Sequence, residues 1–212
     1  MSEQPTTEML RELTQEELDG MIAELNEKIK HSSTEISKII RDVPNFPKEG
    51  ILFKDITPIL GDSKYTTLIL SAMYHQMQIH KLKNPEYRID AIAGIESRGF
   101  LFGNILAYQL GKPFIMVRKA GKLPAEKKSK SYDLEYGQAT IEIHTDAIKP
   151  GMNVLIHDDL LATGGTAAAA AELIQDLGGN IAGFSFIIDL TFLNGKDKLT
   201  KFSPIVDSLI QY

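Results

Sequence analysis

The sequence predicts an α/β fold in which a central parallel sheet is flanked by helices. Short apolar runs end near residues 95, 117, 156 and 188, and each has the length of a buried strand. Helical patterns follow the first and third runs directly, up to about Leu110 and from about Ala167. The chain has 212 residues, 43% of them hydrophobic, which suits one domain with a sizeable core or a domain plus an appendage.

Residues 1–35 are predicted to form an acidic helical extension. They contain three basic and nine acidic residues, a net charge of −6. Thr14–Glu17 has the pattern of a capping box, and an apolar stripe follows at helical spacing: Leu18, Met21, Ile22, Leu25 and Ile29. The stripe should pack on this domain, on a second subunit or on another protein. We expect a linker at residues 31–34 and a second short helix that ends at Pro44.

Further elements follow in order. Residues 44–60 contain three prolines and Gly50, which indicates a shaped loop. A helix is expected over residues 66–82, strands over 88–95, 113–117, 137–143 and 181–188, and a final edge strand over 204–210. Parallel pairing of the apolar strands would bury them on both faces.

Composition excludes several classes of site. The chain has no cysteine, so disulfides, a cysteine nucleophile and zinc–thiolate sites are excluded. Five histidines without H-E-x-x-H spacing predict no dedicated histidine metal site. No apolar run approaches the ~20 residues of a membrane span, and the N-terminus is unlike a signal peptide. We therefore expect a cytoplasmic protein, with no membrane partner and, given the acidic extension, no nucleic-acid partner.

The most informative segment is residues 154–166. An apolar strand leads to Asp158 and Asp159, where we expect the strand to end, and then to the turn Ala162-Thr163-Gly164-Gly165-Thr166 before a helix. Amides and hydroxyls at a helix N-terminus suit a phosphate, and no Walker lysine follows the glycines. Paired carboxylates suit ribose hydroxyls, or the magnesium that accompanies a pyrophosphate. The segment predicts a site for a phosphorylated ribose.

Two further segments carry candidate phosphate-binding groups. Ser97 and Arg98 lie where the strand at 88–95 turns into a helix, and an arginine can hold a phosphate through two hydrogen bonds. Between Arg118 and Lys130 there are six basic residues and one acidic residue, among glycine and proline. Taken alone, Arg98 would be read as a surface ion pair and the basic run as a solvated face.

Residues 154–166 resemble the 5-phosphoribosyl-1-pyrophosphate (PRPP) motif of the type I phosphoribosyltransferases. With residues 43–60, 94–103 and 118–137, the resemblance narrows to the adenine phosphoribosyltransferase family and covers about residues 36–212. It implies a Rossmann-like type I phosphoribosyltransferase fold, with an N-terminal hood at about 36–62 and a mobile lid loop at about 118–136. It also implies a homodimer.

The reaction implied by the resemblance converts adenine and PRPP into AMP and pyrophosphate. Mg²⁺ would be held mainly by the pyrophosphate and by waters, without a dedicated set of protein ligands. The resemblance assigns catalysis to Glu135, Tyr136 and Arg98, with Glu135 handling the proton at the base. PRPP would be bound by Asp158, Asp159, Ala162, Thr163, Gly164, Gly165, Thr166, Ser97, Arg98, Arg118, Lys119 and Lys122. Adenine would be bound by Leu52, Phe53, Lys54 and Leu190.

Four residues depart from the family pattern, and one of them is Glu96, which stands where an aspartate is common. Lys54 stands where arginine is frequent, Asp189 where glutamate is preferred, and His157 where an aliphatic residue is usual. A single histidine in a strand is read as a core or edge residue. Two other functions stay open: a phosphoribosyltransferase for another base, such as hypoxanthine, xanthine or orotate, and a PRPP-sensing regulator without catalytic activity.

Overall fold

The computed structural model describes residues 13–133 and 137–212. The chain divides into two compact units, Met1–Glu86 and Tyr87–Tyr212. The first unit contains helix α1 (Gln15–Ser37), strands β1 (Arg41–Pro44) and β2 (Leu52–Asp55), and helices α2 (Thr57–Leu60) and α3 (Ser63–Lys83). None of the helices in the described ranges is both long enough and apolar enough to cross a membrane.

Helix α1 begins at the predicted capping box. The Thr14 hydroxyl accepts a hydrogen bond from the Glu17 amide at 3.3 Å, and the Glu17 carboxylate accepts one from the Thr14 amide at 2.8 Å. The helix then continues through residues 31–34, so the predicted linker is wrong. Thr34, which was expected to cap a new helix, instead donates its hydroxyl proton to the Lys30 carbonyl at 2.8 Å, within the same helix.

The apolar stripe of α1 packs on α3 of the same unit. Leu18, Ile22, Leu25 and Ile29 are half-buried, whereas Met21 remains 39% exposed. The stripe was expected to pack on this domain, on a second subunit or on another protein. The structure shows that its partner is a helix of the same chain. The predicted domain boundary after residue 35 lies inside this continuous helix.

The segment expected to form a second helix and a shaped loop is instead a hairpin. β1 and β2 pair antiparallel, with Val43 opposite Phe53 and Pro44 opposite Leu52. The connection contains a cis peptide between Phe46 and Pro47. Isoleucine periodicity predicted a helix through residue 43, but backbone pairing with β2 determines the conformation of residues 41–44.

The second unit contains a seven-stranded sheet in the order β5-β6-β4-β3-β7-β8-β9. Its strands are β3 (Ala91–Ile95), β4 (Phe114–Lys119), β5 (Lys127–Asp133), β6 (Gln138–His144), β7 (Asn153–Leu161), β8 (Asn180–Asp189) and β9 (Val206–Gln211). β4, β3, β7, β8 and β9 pair in parallel, whereas β6 runs antiparallel to both of its neighbours, β4 and β5. The predicted α/β class and the final edge strand are confirmed.

Helices α4 (Gly99–Leu110), α5 (Gly165–Asp176) and α6 (Gly195–Leu199) complete this unit, with a 3₁₀ turn at Thr191–Leu193. α4 packs on β3, β4 and β7, and α5 packs on β5 to β8. The core combines small side chains of α5, such as Ala170 and Ala171, with Phe184 and Phe186 of β8. α4 and α5 begin directly after β3 and β7, so both helix N-termini lie at the carboxyl edge of the parallel strands.

Candidate functional site

The acid pair lies inside strand β7, not after it. β7 continues to Leu161, which pairs with Asp189 of β8, so the predicted strand end was too early. Asp159 is buried, and its amide donates to the Asp158 carboxylate at 2.9 Å. Arg98, at the start of α4, forms an ion pair with Asp159 at 3.0 Å. Two predicted site segments that are about 60 residues apart in sequence therefore meet at this edge.

The environment of the two aspartates opposes their ionisation. Burial, followed by repulsion from Asp159, raises the pKa of Asp158 well above its ordinary value. Burial also raises the pKa of Asp159, against the opposing effect of Arg98. A ligand that donates hydrogen bonds or brings positive charge to these carboxylates would favour their ionised form.

Residues Ala162–Thr166, here called the phosphate cradle, form a concave turn between β7 and α5. They line a cavity of about 80 Å³ together with Asp158, Leu160, Leu161, Ala167 and Phe186. Gly164 has φ +74°, a conformation that favours glycine. The N-cap residue of α5 is Gly164, which has no side chain to bond the first amides of the helix, and such amides suit an anion.

The close packing under the cradle depends on glycine. A Cβ atom at Gly164 would lie 2.5 Å from the carbonyl oxygen of Gly195, the first residue of α6. A Cβ atom at Gly99 would lie 2.8 Å from the His157 carbonyl oxygen, so glycine at this position allows α4 to pack closely on β7. Sequence reasoning missed Gly195, because nothing in the local pattern indicates a contact with a turn about 30 residues earlier.

Arg118 is held in an ion-pair network at the end of β4. Its Nε lies 3.1 Å from the Glu96 carboxylate, and its Nη1 donates to the Lys122 carbonyl at 3.0 Å. The Lys119 amide also donates to Glu96. Burial alone would raise the pKa of Glu96, but the hydrogen bonds from Arg118 and Lys119 outweigh it and lower that pKa. Lys119, Lys122 and Ser97 have exposed side chains.

The expected lid loop differs from the structure in its middle part. Residues 127–133 form β5, which pairs along its length with β6. Lys130 forms an ion pair with Glu172 of α5 at 2.7 Å, so part of the basic run is neutralised by acids on the helix. The buried Glu142 of β6 accepts hydrogen bonds from the Gly121 amide and the Ser129 hydroxyl. Glu135 and Tyr136 lie outside the described residues.

Tyr132 contacts the phosphate cradle, and the sequence did not reveal this contact. The Thr166 hydroxyl donates to the Tyr132 hydroxyl at 3.0 Å, and a Cβ atom at Gly165 would lie 3.4 Å from the Tyr132 ring. Tyr132 therefore brings β5 against the phosphate cradle. β5 has the sequence KKSKSYD, in which Tyr132 is the one apolar residue, so no apolar/polar alternation indicated a strand there.

The residues predicted to bind the base occur in both units. Leu52, Phe53 and Lys54 form part of β2 in the first unit. The Phe53 ring packs edge-to-face against Phe46 with centroids 5.1 Å apart, and the Lys54 ammonium lies 2.7 Å from Asp42. Leu190 follows β8 in the second unit, where its amide donates to the Leu161 carbonyl beside the cradle. Their role in binding stays a prediction.

The remaining departures from the family pattern are buried. His157 is fully buried, and its Nδ1 donates to the Ser185 carbonyl at 2.9 Å, so the core reading is confirmed. Burial lowers the pKa of His157 to about 4, although the hydrogen bond to Ser185 acts to raise it. Asp189 is also buried, and burial raises its pKa against the effect of Lys196.

Comparison with known proteins gives consistent matches. The family described as phosphoribosyl transferase domain matches residues 76–199. The adenine phosphoribosyltransferase of Nitrosococcus oceani is 51% identical over 175 residues, which cover 82% of this chain and 96% of that protein. The enzyme of the same name from Agathobacter rectalis is 49% identical, over 84% of this chain and 97% of that protein.

Solved structures agree with these sequence relatives. Adenine phosphoribosyltransferase from Thermoanaerobacter pseudethanolicus superimposes with a TM-score of 0.76 at 48% identity, covering 85% of this chain and 99% of that one. The Saccharomyces cerevisiae enzyme, complexed with an imino-altritol bisphosphate and adenine, gives a TM-score of 0.78 at 43% identity, covering 84% and 98%.

Proposed function

This chain belongs to the adenine phosphoribosyltransferase family, and we propose on that basis that it transfers the 5-phosphoribosyl group of PRPP to adenine, giving AMP and pyrophosphate. The observation that carries the proposal is the geometry at the end of β7, where an acid pair leads directly into the phosphate cradle. The activity is a pentosyl transfer of purine salvage. It needs no covalent intermediate, because pyrophosphate leaves readily when its charge is neutralised.

The 5′-phosphate is proposed to bind in the cradle at the N-terminus of α5. The uncapped amides of α5 and the hydroxyls of Thr163 and Thr166 supply donors there. Asp158 and Asp159 then hold the ribose hydroxyls. Their negative charge stabilises the positive charge that develops at C1 of the ribose, and that charge in turn favours their ionisation.

The pyrophosphate is proposed to lie against the basic groups at the ends of β3 and β4. Lys119 and Lys122 are exposed, and Ser97 stands beside the start of α4. Arg98 and Arg118 are paired with Asp159 and Glu96, which supports a role in arranging these acids. The family resemblance is the basis for proposing that both also neutralise the leaving group.

Magnesium fits this site through hard oxygen donors. Among the described residues no three side chains of His, Cys, Asp or Glu gather to hold an ion. The Asp158–Asp159 pair offers the type of ligand that Mg²⁺ prefers, and Arg98 already neutralises one member of the pair. Mg²⁺ would be held mainly by the pyrophosphate oxygens and water, and it would supply positive charge to neutralise the leaving group.

Base binding and proton transfer complete the proposal. Phe53 and Leu190 supply apolar surfaces for the adenine ring, and the backbone of Leu52 and Lys54 reads its edge. Glu135, supported by Tyr136, exchanges the proton at the attacking nitrogen, as a carboxylate on a closing segment can be desolvated.

A homodimer is part of the same proposal. α4 and the adjacent β4 carry apolar side chains that remain exposed in the chain: Leu101 at 41%, Ile105 at 38%, Tyr108 at 84% and Met116 at 42%. Leu101, Ile105 and Tyr108 recur at helical spacing on one face of α4, and an exposed apolar face of this kind marks an interaction surface. Replacement of Ile105 by Lys should shift the mass measured by light scattering from dimer to monomer. The expected cytoplasmic location stays a prediction, which cell fractionation would test.

A turnover assay tests the proposed function. Adenine, hypoxanthine, guanine and orotate are each supplied with PRPP and Mg²⁺, and pyrophosphate release is measured. The proposal predicts turnover with adenine and little with the other bases. Preferred turnover of another base would assign the chain to a different phosphoribosyltransferase. PRPP binding without turnover of any base would support the non-catalytic sensor instead.

A further inference from the structure

Tyr132 connects the basic strand β5 to the phosphate cradle through one hydroxyl group. Its hydroxyl lies 3.0 Å from the Thr166 hydroxyl and accepts the proton of that group. The ring also packs beside Gly165, so both ends of the side chain contact the cradle. Tyr132 is partly buried, which limits the access of water to this hydrogen bond.

Proton counting shows why this bond matters to a ligand. A threonine hydroxyl has a single proton to donate, and Thr166 donates it to Tyr132 in this structure. The anionic oxygens of a phosphate accept hydrogen bonds, so the Thr166 hydroxyl, as distinct from its backbone amide, can bind them only by redirecting that proton toward the ligand. The phenol of Tyr132 then becomes the available donor to the Thr166 oxygen.

We propose that Tyr132 is a positioning residue for the 5′-phosphate, acting through Thr166, and that their hydrogen bond reverses its direction when the phosphate binds. The inference rests on the proposed function, since it assigns the cradle to the 5′-phosphate. In the bound state the chain of donors runs from Tyr132 to Thr166 to the phosphate. A donor behind Thr166 polarises its hydroxyl and strengthens the bond to the anion.

The position of Tyr132 gives this bond a second consequence. Two ion pairs join β5 to α5: Lys130 with Glu172, and Lys128 with Asp176 at 3.5 Å. Tyr132 adds a third link between β5 and α5 through its bond to Thr166. Occupation of the cradle therefore acts on one of the bonds that hold β5 against α5.

The first test is ligand binding by the full-length chain. Tyr132→Phe keeps the ring beside Gly165 and removes only the hydroxyl, so the fold should be retained, as circular dichroism and thermal unfolding would verify. Ser131→Ala is the matched control, because it removes the neighbouring β5 hydroxyl, which pairs with Thr140 and not with the cradle. Calorimetry with ribose 5-phosphate should show Kd raised about two- to tenfold in Tyr132→Phe, and unchanged in Ser131→Ala. Equal weakening in both variants would overturn the inference.

A double-mutant cycle tests whether Tyr132 acts through Thr166. In a Thr166→Val background the partner hydroxyl is absent, so the added change Tyr132→Phe should have no further effect on Kd. An undiminished effect there would overturn the proposed relay. In turnover, Tyr132→Phe should raise KM for PRPP and leave KM for adenine unchanged.

A spectroscopic measurement follows the reversal itself. The chain has no tryptophan, so its near-ultraviolet spectrum is dominated by tyrosine. Ribose 5-phosphate should produce a tyrosine difference spectrum in the wild type that Tyr132→Phe loses and Ser131→Ala keeps. If the wild type binds ribose 5-phosphate and Tyr132→Phe gives the same Kd and spectrum, the inference fails while the proposed function stands. If the wild type does not bind ribose 5-phosphate, the proposed function fails first.

Discussion

Replacement of His157 by Leu should remove a defined part of the acid sensitivity of the fold. His157 is fully buried in β7, and its Nδ1 donates to the Ser185 carbonyl. No hydrogen-bond partner reaches its Nε2 within the described residues. The imidazole is therefore held neutral, and burial lowers its pKa from 6.5 to about 4.

The magnitude follows from proton linkage. Between the unfolded pKa of 6.5 and the folded pKa of about 4, the unfolded chain binds a proton that the folded chain does not. The free energy of unfolding therefore falls as the pH falls through this window, by about 2 kcal/mol at pH ~5 and about 3 kcal/mol at pH ~4 from this group alone. Above pH ~7 the group contributes almost no pH dependence.

Urea unfolding of wild type and His157→Leu at a series of pH values measures the effect. At pH ~8 the two proteins should differ by no more than about 1–2 kcal/mol, because loss of the Ser185 bond is offset by removal of the unpartnered Nε2. At pH ~4 the variant should be the more stable by about 3 kcal/mol relative to that baseline. Stability curves that run parallel from pH ~8 to ~4 would refute the reasoning, provided that the dependence on urea is the same in both proteins.

Three further predictions concern the site. Asp158→Asn and Asp159→Asn should each lower kcat/KM for PRPP by about 10- to 100-fold, through loss of charged hydrogen bonds; normal turnover by the double variant would disprove their assignment. Glu135→Gln should lower kcat by about 10²–10⁴-fold and remove one limb of the kcat–pH profile, whereas an unchanged profile would remove Glu135 from the mechanism. Gly195→Ala should cost about 1–3 kcal/mol and raise KM for PRPP, because its methyl group would overlap a backbone carbonyl of the cradle. The control Gly20→Ala, in open space on α1, should leave KM unchanged.

Local sequence identified most elements of the second unit. The apolar runs at β3 and β8 occur where the pattern predicted them, whereas β7 continues through the acid pair that was expected to follow it. The comparisons confirm the family. Errors arose where long-range pairing decides the conformation. Residues 41–44 form a strand because β2 pairs with them, and residues 127–133 form a strand because β6 does.

The sequence by itself determined the fold class, the family, and the adjacency of an acid pair to a phosphate-binding turn, because these features are encoded within contiguous segments. Only the tertiary structure decided that Arg98 pairs with Asp159, that Gly195 supports Gly164, and that Tyr132 contacts Thr166. The physical reason is that side-chain periodicity reports which face of an element is buried, but not which distant group covers it. Strand order and helix docking in the folded sheet supply that partner.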